Sequence, residues 1–280
     1  FRLGVGTWRD LGWKALAVNV SDIAAMGGAP RYAVVTLGLP ADTDVSAMDE
    51  LYEGMLDMAD QYPVVIVGGD IVTAPVFFVS IALVGAAPQP QGQSVRLLTR
   101  SAAAVGDAIA VTGYVGSSAG GMRLLHGGVS APATMSPDAV RHLTCAHLRP
   151  QPRVAEGQAL LQCGVRAAID VSDGLVGDLR HICEMSRVAA RLRTDQAPVH
   201  PALAQLFGTD ALALALSGGE DYELLFTAPL YVVERVRRTL SCPVTVIGEV
   251  VAGVPGMVTL LDAGGNVVAI DRPGWDHFRP

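Results

Sequence analysis

Residues 167–175 read Ala-Ala-Ile-Asp-Val-Ser-Asp-Gly-Leu, which joins a short apolar run to a polar turn and then to a second apolar pattern. An apolar run bounded by turn residues is typical of a buried strand, and the periodicity after Gly174 favours a helix. The same alternation of strand and helix patterns recurs at residues 14–84 and 224–250. The sequence therefore predicts an α/β or α+β architecture.

One segment rich in Pro, Gln and Gly divides the sequence. Residues 86–93, Ala-Ala-Pro-Gln-Pro-Gln-Gly-Gln, have no apolar period and predict a linker. We therefore expect an N-terminal domain at residues 1–90 and a C-terminal α+β domain at residues 91–280. The elements expected from the patterns are helices at residues 14–26, 46–61, 153–163 and 175–185, strands at 32–39, 64–67, 108–112 and 167–171, and a buried strand at 76–84.

The composition indicates a chain that shares its surface with a partner. Half of the 280 residues are hydrophobic and 17% are charged, whereas about 25% are charged in an average soluble domain. We therefore expect an oligomer. The 20 Lys and Arg against 27 Asp and Glu give a net charge of −7, which excludes nucleic-acid binding through the net field. A phosphate ligand would need metal ions or local backbone dipoles.

The cysteines and the apolar stretches predict a cytoplasmic chain. Cys145, Cys163, Cys183 and Cys242 form no C-x-x-C pair, so we expect reduced thiols and no zinc site. The uncharged residues 71–95 contain three prolines and a β-branched, aromatic run, which favours a strand over a membrane span. No basic segment followed by a cleavage site opens the sequence, so no secretory signal is expected.

Two acidic residues stand at the end of the predicted strand at residues 167–171 and just after it. Asp170 and Asp173 lie three residues apart, which places both carboxylates on one side of a turn. Hard oxygen ligands of this kind suit Mg²⁺, which keeps waters and phosphate oxygens among its ligands. Asp173 is also well placed to be the N-cap of the following helix. The sequence leaves both interpretations of Asp173 open.

A related pattern stands in the first half of the chain. Asn19-Val-Ser-Asp22 and residues 170–173 share the pattern Asp/Asn-x-Ser-Asp. Asp22 falls in an otherwise apolar predicted helix, where it either binds a ligand or lies on the solvent-exposed edge of the helix. Asp70 follows Gly68 and Gly69 at the end of an apolar strand, where α/β sheets present ligand-binding groups. The glycines would let backbone N–H groups approach an oxyanion, and a simple turn is the alternative.

Further residues are candidates for ligand contacts. Arg100 is suited to a bidentate phosphate contact, and Trp275 to stacking on a flat heterocycle; a solvated arginine and a packing anchor are the alternatives. Glu220 and Asp221 are adjacent, so on an extended segment only one of them faces a given site. The Gly-rich residues 113–121 form either a phosphate cradle or a flexible loop, and they lack the Lys-Ser/Thr of a P-loop.

Eight segments form an ordered set that covers nearly the whole chain: residues 14–27, 68–70, 98–100, 106–107, 111–116, 170–174, 218–224 and 274–278. This set resembles the thiamine-monophosphate kinase family. The family's superfamily includes aminoimidazole ribonucleotide synthetase, selenophosphate synthetase and a hydrogenase-maturation protein that dehydrates carbamoyl groups. The runs Gly-Gly-Glu-Asp-Tyr-Glu-Leu at 218–224 and Gly-Trp-Asp-His-Phe at 274–278 are those of the kinase rather than of its relatives.

The resemblance implies a function and a fold. The expected reaction is ATP-dependent phosphorylation of thiamine monophosphate to thiamine diphosphate by in-line transfer, assisted by several Mg²⁺ ions, with ATP as co-substrate. The expected fold has an N-terminal sheet that joins the sheet of a second subunit into a barrel. A C-terminal α+β domain completes it, and the sites lie in the cleft between the domains. The implied assembly is a homodimer without nucleic-acid or membrane partners.

The resemblance also implies roles for individual residues. No side chain is expected to act as a general base, because the acceptor phosphate is already anionic. The implied metal ligands are Asp22, Asp70, Asp170 and Asp173; the implied ATP contacts are Tyr52, Gly69, Asp70, Arg100 and Ser172; and the implied thiamine contacts are Glu220 and Trp275.

One departure from the family pattern concerns its first segment. The family opens with Gly-Asp-Asp-Ala and a Val-Glu-Gly-x-His-Phe segment, and Phe1 stands where the Phe of that segment would be. The residues before it supply further metal ligands and strands in the family. The alternatives for this chain are a catalytically impaired nucleotide-binding fragment, or another ATPase of the superfamily that acts on an amide oxygen.

Overall fold

The computed structural model describes residues 4–88, 95–270 and 274, and these residues build two β-sheets with helices packed against them. The predicted mixed α/β architecture is confirmed. The helices are α1 (Trp8–Ala25), α2 (Val45–Gln61), α3 (Ser117–Leu125), α4 (Pro137–Leu148), α5 (Val154–Gln162), α6 (Leu175–Ser186), α7 (Pro201–Phe207), α8 (Asp210–Ser217) and α9 (Leu230–Thr239). The strands are β1 (Ala29–Leu39), β2 (Val65–Thr73), β3 (Phe78–Ala86), β4 (Ala108–Thr112), β5 (Ala167–Asp170), β6 (Ala189–Arg193), β7 (Leu224–Ala228), β8 (Val244–Val251), β9 (Val258–Leu261) and β10 (Val267–Val268).

The first sheet has three strands in the order β2-β1-β3, with β1 parallel to β2 and antiparallel to β3. Ala33, Val35 and Leu37 of β1 are fully buried and belong to the core formed with α1 and α2. They alternate along β1 with residues that point to the opposite face, as the two-residue period of a strand requires. Both helices therefore cover the same face of this sheet.

The opposite face of the three-stranded sheet is exposed and largely apolar. Tyr32 is 53% exposed, Val34 43% and Val84 61%, and Val34 pairs with Ala82 across the sheet. The strand predicted at residues 76–84 is present as β3, and the single chain covers only one of its faces. In β3 only every second residue is partly buried, because helices cover one face.

Strand β2 differs from the sequence prediction in its length. It continues through Gly68, Gly69 and Asp70, which were predicted to follow the end of the strand. Asp70 pairs with Thr36 of β1 and lies within an exposed strand. A Cβ on Gly69 would lie 1.8 Å from the carbonyl oxygen of Val35, so glycine is required there by the close approach of β1.

The second sheet has seven strands in the order β10-β9-β6-β8-β4-β7-β5. Only the β6–β9 pair within it is parallel. One face packs on α6 and the other on α5 and α9, which gives the sheet a hydrophobic core on each side. Asp170, the last residue of β5, pairs with Leu224, the first residue of β7.

Helix α1 connects the two sheets. The indole N–H of Trp13 donates to the carbonyl of Pro150 at 2.9 Å, and Ser21 Oγ donates to Asp170 at 2.6 Å. The hydroxyl of Tyr62, just after α2, donates to the carbonyl of Pro152 at 2.9 Å. The domain boundary at residue 90 stays a prediction. Within the described ranges, every helix is too short or too polar to cross a membrane.

Helices α1 and α3 differ from the sequence prediction in where they begin. Helix α1 starts six residues before the predicted residue 14, because Thr7 is its N-cap and forms a capping box with Asp10. Helix α3 starts at Ser117, inside the predicted Gly-rich loop at residues 113–121. Small residues are required in α3 because a Cβ on Gly121 would lie 2.0 Å from the carbonyl oxygen of Leu143 in α4.

Helices α1 and α2 cross with their backbones in contact. A Cβ on Gly12 would lie 1.8 Å from the carbonyl oxygen of Leu51, and a Cβ on Gly54 would lie 1.9 Å from that of Arg9. Backbone atoms cannot move aside as a flexible side chain does. The two glycines therefore set how closely the helices that cover the three-stranded sheet approach each other.

We predict that Gly54→Ala destabilises the protein although alanine favours a helix by about 1 kcal/mol over glycine. Overpacking of a close contact costs about 1–3 kcal/mol, and here both partners are backbone. We expect a loss of about 2 kcal/mol in the free energy of unfolding, measured by urea denaturation. Asp60→Ala on the exposed side of α2 is the control and should change little. Equal or greater stability of Gly54→Ala would contradict the crossing geometry.

Candidate active site between the two sheets

The backbone pairing of β5 with β7 continues into the turn that follows β5 and the segment that precedes β7. Val171 N–H donates to the carbonyl of Glu223 at 2.8 Å, and Tyr222 N–H donates to that of Val171 at 2.9 Å. Glu220 N–H donates to the carbonyl of Ser172 at 2.8 Å. The turn at residues 170–173 is thereby held beside residues 220–223, although about 50 residues separate the two segments.

Asp170 is the most deeply placed of the predicted metal ligands. Its side chain is buried and accepts a hydrogen bond of 2.6 Å from Ser21 Oγ of α1. Burial raises the pKa of Asp170 to about 6, and the nearby charge of Asp22 adds to this rise, while the Ser21 hydroxyl opposes it. A cation bound here would remove the cost of burying the charge.

Asp22 and Arg100 lie in the same neighbourhood. Partial burial raises the pKa of Asp22 on the last turn of α1, and the charge of Arg100 lowers it. Arg100 is brought there by Thr99, which forms a parallel bridge with Ala167 of β5. The structure therefore brings Asp22, Arg100 and Asp170 together from three distant parts of the chain.

Tyr222 lies among the acidic residues and was not singled out by the sequence analysis. Burial raises the pKa of its hydroxyl, and the negative charges of Glu220, Asp170, Asp173 and Asp22 raise it further, in that order. Its backbone has φ of 53°, and that of Glu220 has φ of 67°. Left-handed backbone at non-glycine residues costs free energy and clusters at functional sites. No sequence pattern signals such a conformation at a tyrosine.

Asp178, the fourth residue of α6, organises the turn that carries Asp173. Its Oδ2 accepts hydrogen bonds from the N–H groups of Ser172, Asp173 and Gly174 at 3.0, 3.1 and 3.1 Å. The alternative of Asp173 as N-cap is wrong, because Gly174 holds that position without a side-chain hydrogen bond. Burial raises the pKa of Asp178 to about 7, and the backbone donors oppose the rise.

Glu220 lies beside a cavity of about 310 Å³, lined in part by Trp8, Leu11 and Met122. Its carboxylate lies 3.0 Å from Lys14 Nζ and 3.5 Å from His147 Nδ1. Burial lowers the pKa of Lys14, and the charge of Glu220 opposes this. The cavity therefore combines an apolar wall with an ion pair in which Lys14 is mostly buried and the Glu220 side chain is 40% exposed.

Asp221 turns away from this cavity, as its adjacency to Glu220 predicted. Its carboxylate accepts hydrogen bonds from the N–H groups of Gly116 and Ser118 at the start of α3. Burial raises the pKa of Asp221 to about 7. Glu223, two residues on, forms a bidentate pair with Arg153 at 2.6 and 2.7 Å. Both acids have structural partners and are separate from the predicted ligand set.

The contacts of the described residues do not bring three predicted site residues, Asp70, Gly69 and Tyr52, to the acidic group. Asp70 Oδ1 accepts a hydrogen bond from its neighbour Ile71 N–H at 2.9 Å within the exposed β2, where Gly69 precedes it. Tyr52 of α2 packs at the edge of the core of the three-stranded sheet. Trp275 lies outside the described residues, and Gly274 before it lies against the carbonyl of Asp173.

The described residues contain no group of three or more His, Cys, Asp or Glu side chains arranged to hold a metal ion by themselves. The observed group instead carries an excess of carboxylates at one edge of the seven-stranded sheet, with Arg100 as the nearby cation. Such a group suits a cation that also takes ligands from a bound polyanion.

Comparison with known proteins identifies the family of the chain. Residues 1–87 match the AIR synthase related protein, N-terminal domain, and residues 104–259 match the AIR synthase related protein, C-terminal domain. The chain is 38% identical over 273 residues to the thiamine-monophosphate kinase of Escherichia coli O157:H7 and 35% identical over 285 residues to that of Bacillus subtilis strain 168. These alignments cover 96% and 100% of this chain and 80% and 84% of the relatives. The chain belongs to the thiamine-monophosphate kinase family.

Solved structures agree with this assignment. The thiamine-monophosphate kinase of Stenotrophomonas maltophilia K279a superposes with a TM-score of 0.82 at 36% identity, covering 96% of this chain and 82% of that one. A structure described as AaThiL complexed with AMPPCP and TMP has a TM-score of 0.82 at 32% identity, covering 98% and 82%. A hydrogenase-maturation protein HypE in complex with ATP, at 20% identity and a TM-score of 0.75, shares the fold.

We predict that His147 makes the stability of the protein depend on pH below 6.5. Burial lowers its pKa to about 4, and the charge of Lys14 contributes. The unfolded chain then binds the proton first, so stability is present above pH 6.5 and is lost as the pH falls toward 4. Between pH 7 and pH 5 the protonation of His147 lowers the free energy of unfolding by about 2 kcal/mol.

The measurement is urea unfolding of the parent and His147→Gln at both pH values. We expect a smaller loss of stability on acidification in the variant, because glutamine does not titrate. His181→Gln, at a half-exposed histidine of α6, is the control for the same change of side chain away from this cavity. The same pH dependence in His147→Gln as in the parent would show that His147 titrates normally.

Proposed function

We propose that the chain transfers the terminal phosphoryl group of ATP to thiamine monophosphate and so forms thiamine diphosphate. The observation that carries this proposal is the acidic group of Asp22, Asp170 and Asp173. The charges of this group and of Glu220, which lines the 310 Å³ cavity, all act on the hydroxyl of Tyr222. Carboxylates suited to cation-bound phosphates thus adjoin a cavity with an apolar wall. Family membership and the AaThiL complex with AMPPCP and TMP support the assignment of substrates.

The predicted ligands divide between the two substrates. We assign Mg²⁺ binding to Asp22, Asp170 and Asp173, and ATP binding to Arg100 and to Ser172 in the turn. Asp70 stays assigned to Mg²⁺ and ATP on family resemblance. Tyr52 and Gly69 stay assigned to ATP on family resemblance. We assign the thiamine side to Glu220 and Trp275. The ion pair of Glu220 with Lys14 leaves the cavity without an isolated charge, which suits a heterocycle that forms hydrogen bonds.

The donor set fits Mg²⁺ by its chemistry. The pKa of Asp170 is raised by burial and by Asp22, so each carboxylate gains from a nearby cation. Mg²⁺ takes one or two carboxylates together with waters and phosphate oxygens, so it needs no complete protein cage. When bound, it would neutralise the charge of the two phosphate-bearing substrates and of the transferring group.

The protein residues have a positioning task in this reaction. The acceptor is a phosphate oxygen that is already anionic, so no general base is needed and alignment dominates. Tyr222 keeps its proton at neutral pH because burial and the surrounding carboxylates raise its pKa, and it is therefore suited to donate a hydrogen bond. Arg100 supplies a fixed positive charge beside Asp22.

The direct test incubates the chain with ATP, Mg²⁺ and thiamine monophosphate and measures thiamine diphosphate by chromatography. We expect product to form in proportion to ADP. An amide-bearing acceptor offered in parallel tests for another ATPase of the superfamily, and it should give no phosphate release. ATP hydrolysis that leaves thiamine monophosphate unchanged would overturn the proposed function.

We predict that Asp173→Asn lowers phosphoryl transfer by two or more orders of magnitude while the melting temperature changes by no more than a few degrees. The carboxylate charge is needed at the phosphates, and electrostatic contributions of this kind are worth several kcal/mol. Asp138→Asn, at an exposed carboxylate of α4, is the control and should keep full activity. Activity of Asp173→Asn within a few-fold of the parent would remove Asp173 from the site.

We further propose a homodimer that pairs the exposed faces of two three-stranded sheets. Tyr32, Val34 and Val84 are 53%, 43% and 61% exposed on this face, and contiguous apolar surface of this kind marks an interface.

The four cysteines are free thiols, which supports a reducing, cytoplasmic location.

We predict that Val34→Glu converts the dimer into a monomer, because two copies of the charge would be buried against apolar side chains. Sedimentation velocity at micromolar concentration is the measurement. Val45→Glu is the matched control: Val45 is 76% exposed at the start of α2, away from the sheet face, and its variant should stay dimeric. A monomeric parent, or a dimeric Val34→Glu, would contradict the proposed interface.

A further inference from the structure

The turn at residues 170–174 has its backbone donors directed toward the protein. The N–H groups of Ser172, Asp173 and Gly174 all donate to one oxygen of Asp178, whose side chain is buried at the first turn of α6. Three donors on one carboxylate oxygen form a complete anion site. In this structure the anion in that site belongs to the protein itself.

The backbone acceptors of the same turn are also engaged. The carbonyl of Val171 accepts from Tyr222 N–H, and the carbonyl of Ser172 accepts from Glu220 N–H at 2.8 Å. A Cβ on Gly219 would lie 2.4 Å from the carbonyl oxygen of Ser172, so the two segments are in close contact. The turn is therefore fixed from both sides, by Asp178 and by residues 219–222.

This arrangement differs from that of a backbone phosphate site. N–H groups at the start of a helix ordinarily bind phosphate through their free hydrogens and the helix dipole. Here the N–H groups of residues 172–174 are occupied by Asp178, so at this turn a phosphate ligand meets the hydroxyl of Ser172 and the carboxylate of Asp173. Carboxylate oxygens repel phosphate unless a cation lies between them.

We propose that Asp178 is a positioning residue for the nucleotide: by occupying the backbone donors of residues 172–174, it makes phosphate recognition at this turn depend on carboxylate-held cations. The inference rests on the proposed function, which assigns Asp170 and Asp173 to Mg²⁺. Asp178 itself is not assigned a contact with substrate or metal, and its effect passes through the conformation of the turn.

Asp107 provides a matched comparison on the same domain. It is buried and accepts a hydrogen bond from the N–H of Ala104 at 3.0 Å. It precedes Ala108, which pairs with Ala228 at the far end of β7 from Leu224 and Asp170. Asp107 thus resembles Asp178 as a buried carboxylate that holds a loop, but it lies at the opposite end of the strands from Asp170.

The test measures binding of the ATP analogue AMPPCP by calorimetry, with and without Mg²⁺, to the parent, Asp178→Ala, Asp178→Asn and Asp107→Asn. For Asp178→Ala we expect Mg·AMPPCP affinity to fall at least tenfold, while metal-free affinity stays within twofold of the parent or rises. Asp178→Asn keeps one acceptor oxygen without the charge, so it should lose threefold to tenfold with Mg²⁺. Asp107→Asn should bind within twofold of the parent in both conditions.

A purely structural role gives a different result. In that case the Asp178 variants would lose affinity for AMPPCP equally with and without Mg²⁺. Alternatively, their affinities would match that of Asp107→Asn when the losses of melting temperature are similar. Either result would overturn the inference. If Asp178→Ala does not fold, Asp178→Asn decides, and affinity for Mg·AMPPCP within twofold of the parent counts against the proposal. The parent's own formation of thiamine diphosphate tests the proposed function separately.

Discussion

The antiparallel pairing of β5 with β7 continues past the strands, and the candidate site depends on this continuation. It places the turn at residues 170–173 against residues 220–223 through three backbone hydrogen bonds of 2.8 to 2.9 Å. These hydrogen bonds join the acidic turn to the segment that carries Glu220 and so connect the two parts of the candidate site. The two left-handed residues, Glu220 and Tyr222, show that the backbone accepts strain to maintain this pairing.

The second constraint on the site is the cost of placing several carboxylates close together. Asp170 is buried, and its carboxylate accepts a hydrogen bond from the neutral hydroxyl of Ser21. Asp178 has backbone donors, and Arg100 balances part of the charge of Asp22. Each acid thus has a different source of stabilisation, and the remaining negative charge is the property that a metal-bound nucleotide requires.

The sequence predicted most of the fold and part of the candidate site. Apolar periodicity located β4 at its observed bounds and α6 to within one residue, and the D-x-S-D pattern located Asp170 and Asp173. The start of α1 was missed because a capping box overrides the weak pattern around Trp8. The roles of Tyr222 and Asp178 could not be predicted, because positive φ at a tyrosine and three donors on one oxygen arise only from tertiary structure. Likewise, β2 extends past Gly69 because β1 lies beside it, and nothing in the local sequence signals that neighbour.

The Lys14–Glu220 ion pair has a thermodynamic consequence for the whole chain. Lys14 belongs to α1, which packs on the three-stranded sheet, and Glu220 belongs to the segment that leads into the seven-stranded sheet. A ligand that fills the adjoining cavity contacts both halves and binds only when they are assembled. Ligand binding and the association of the two halves are therefore linked functions, and each strengthens the other by the same free energy.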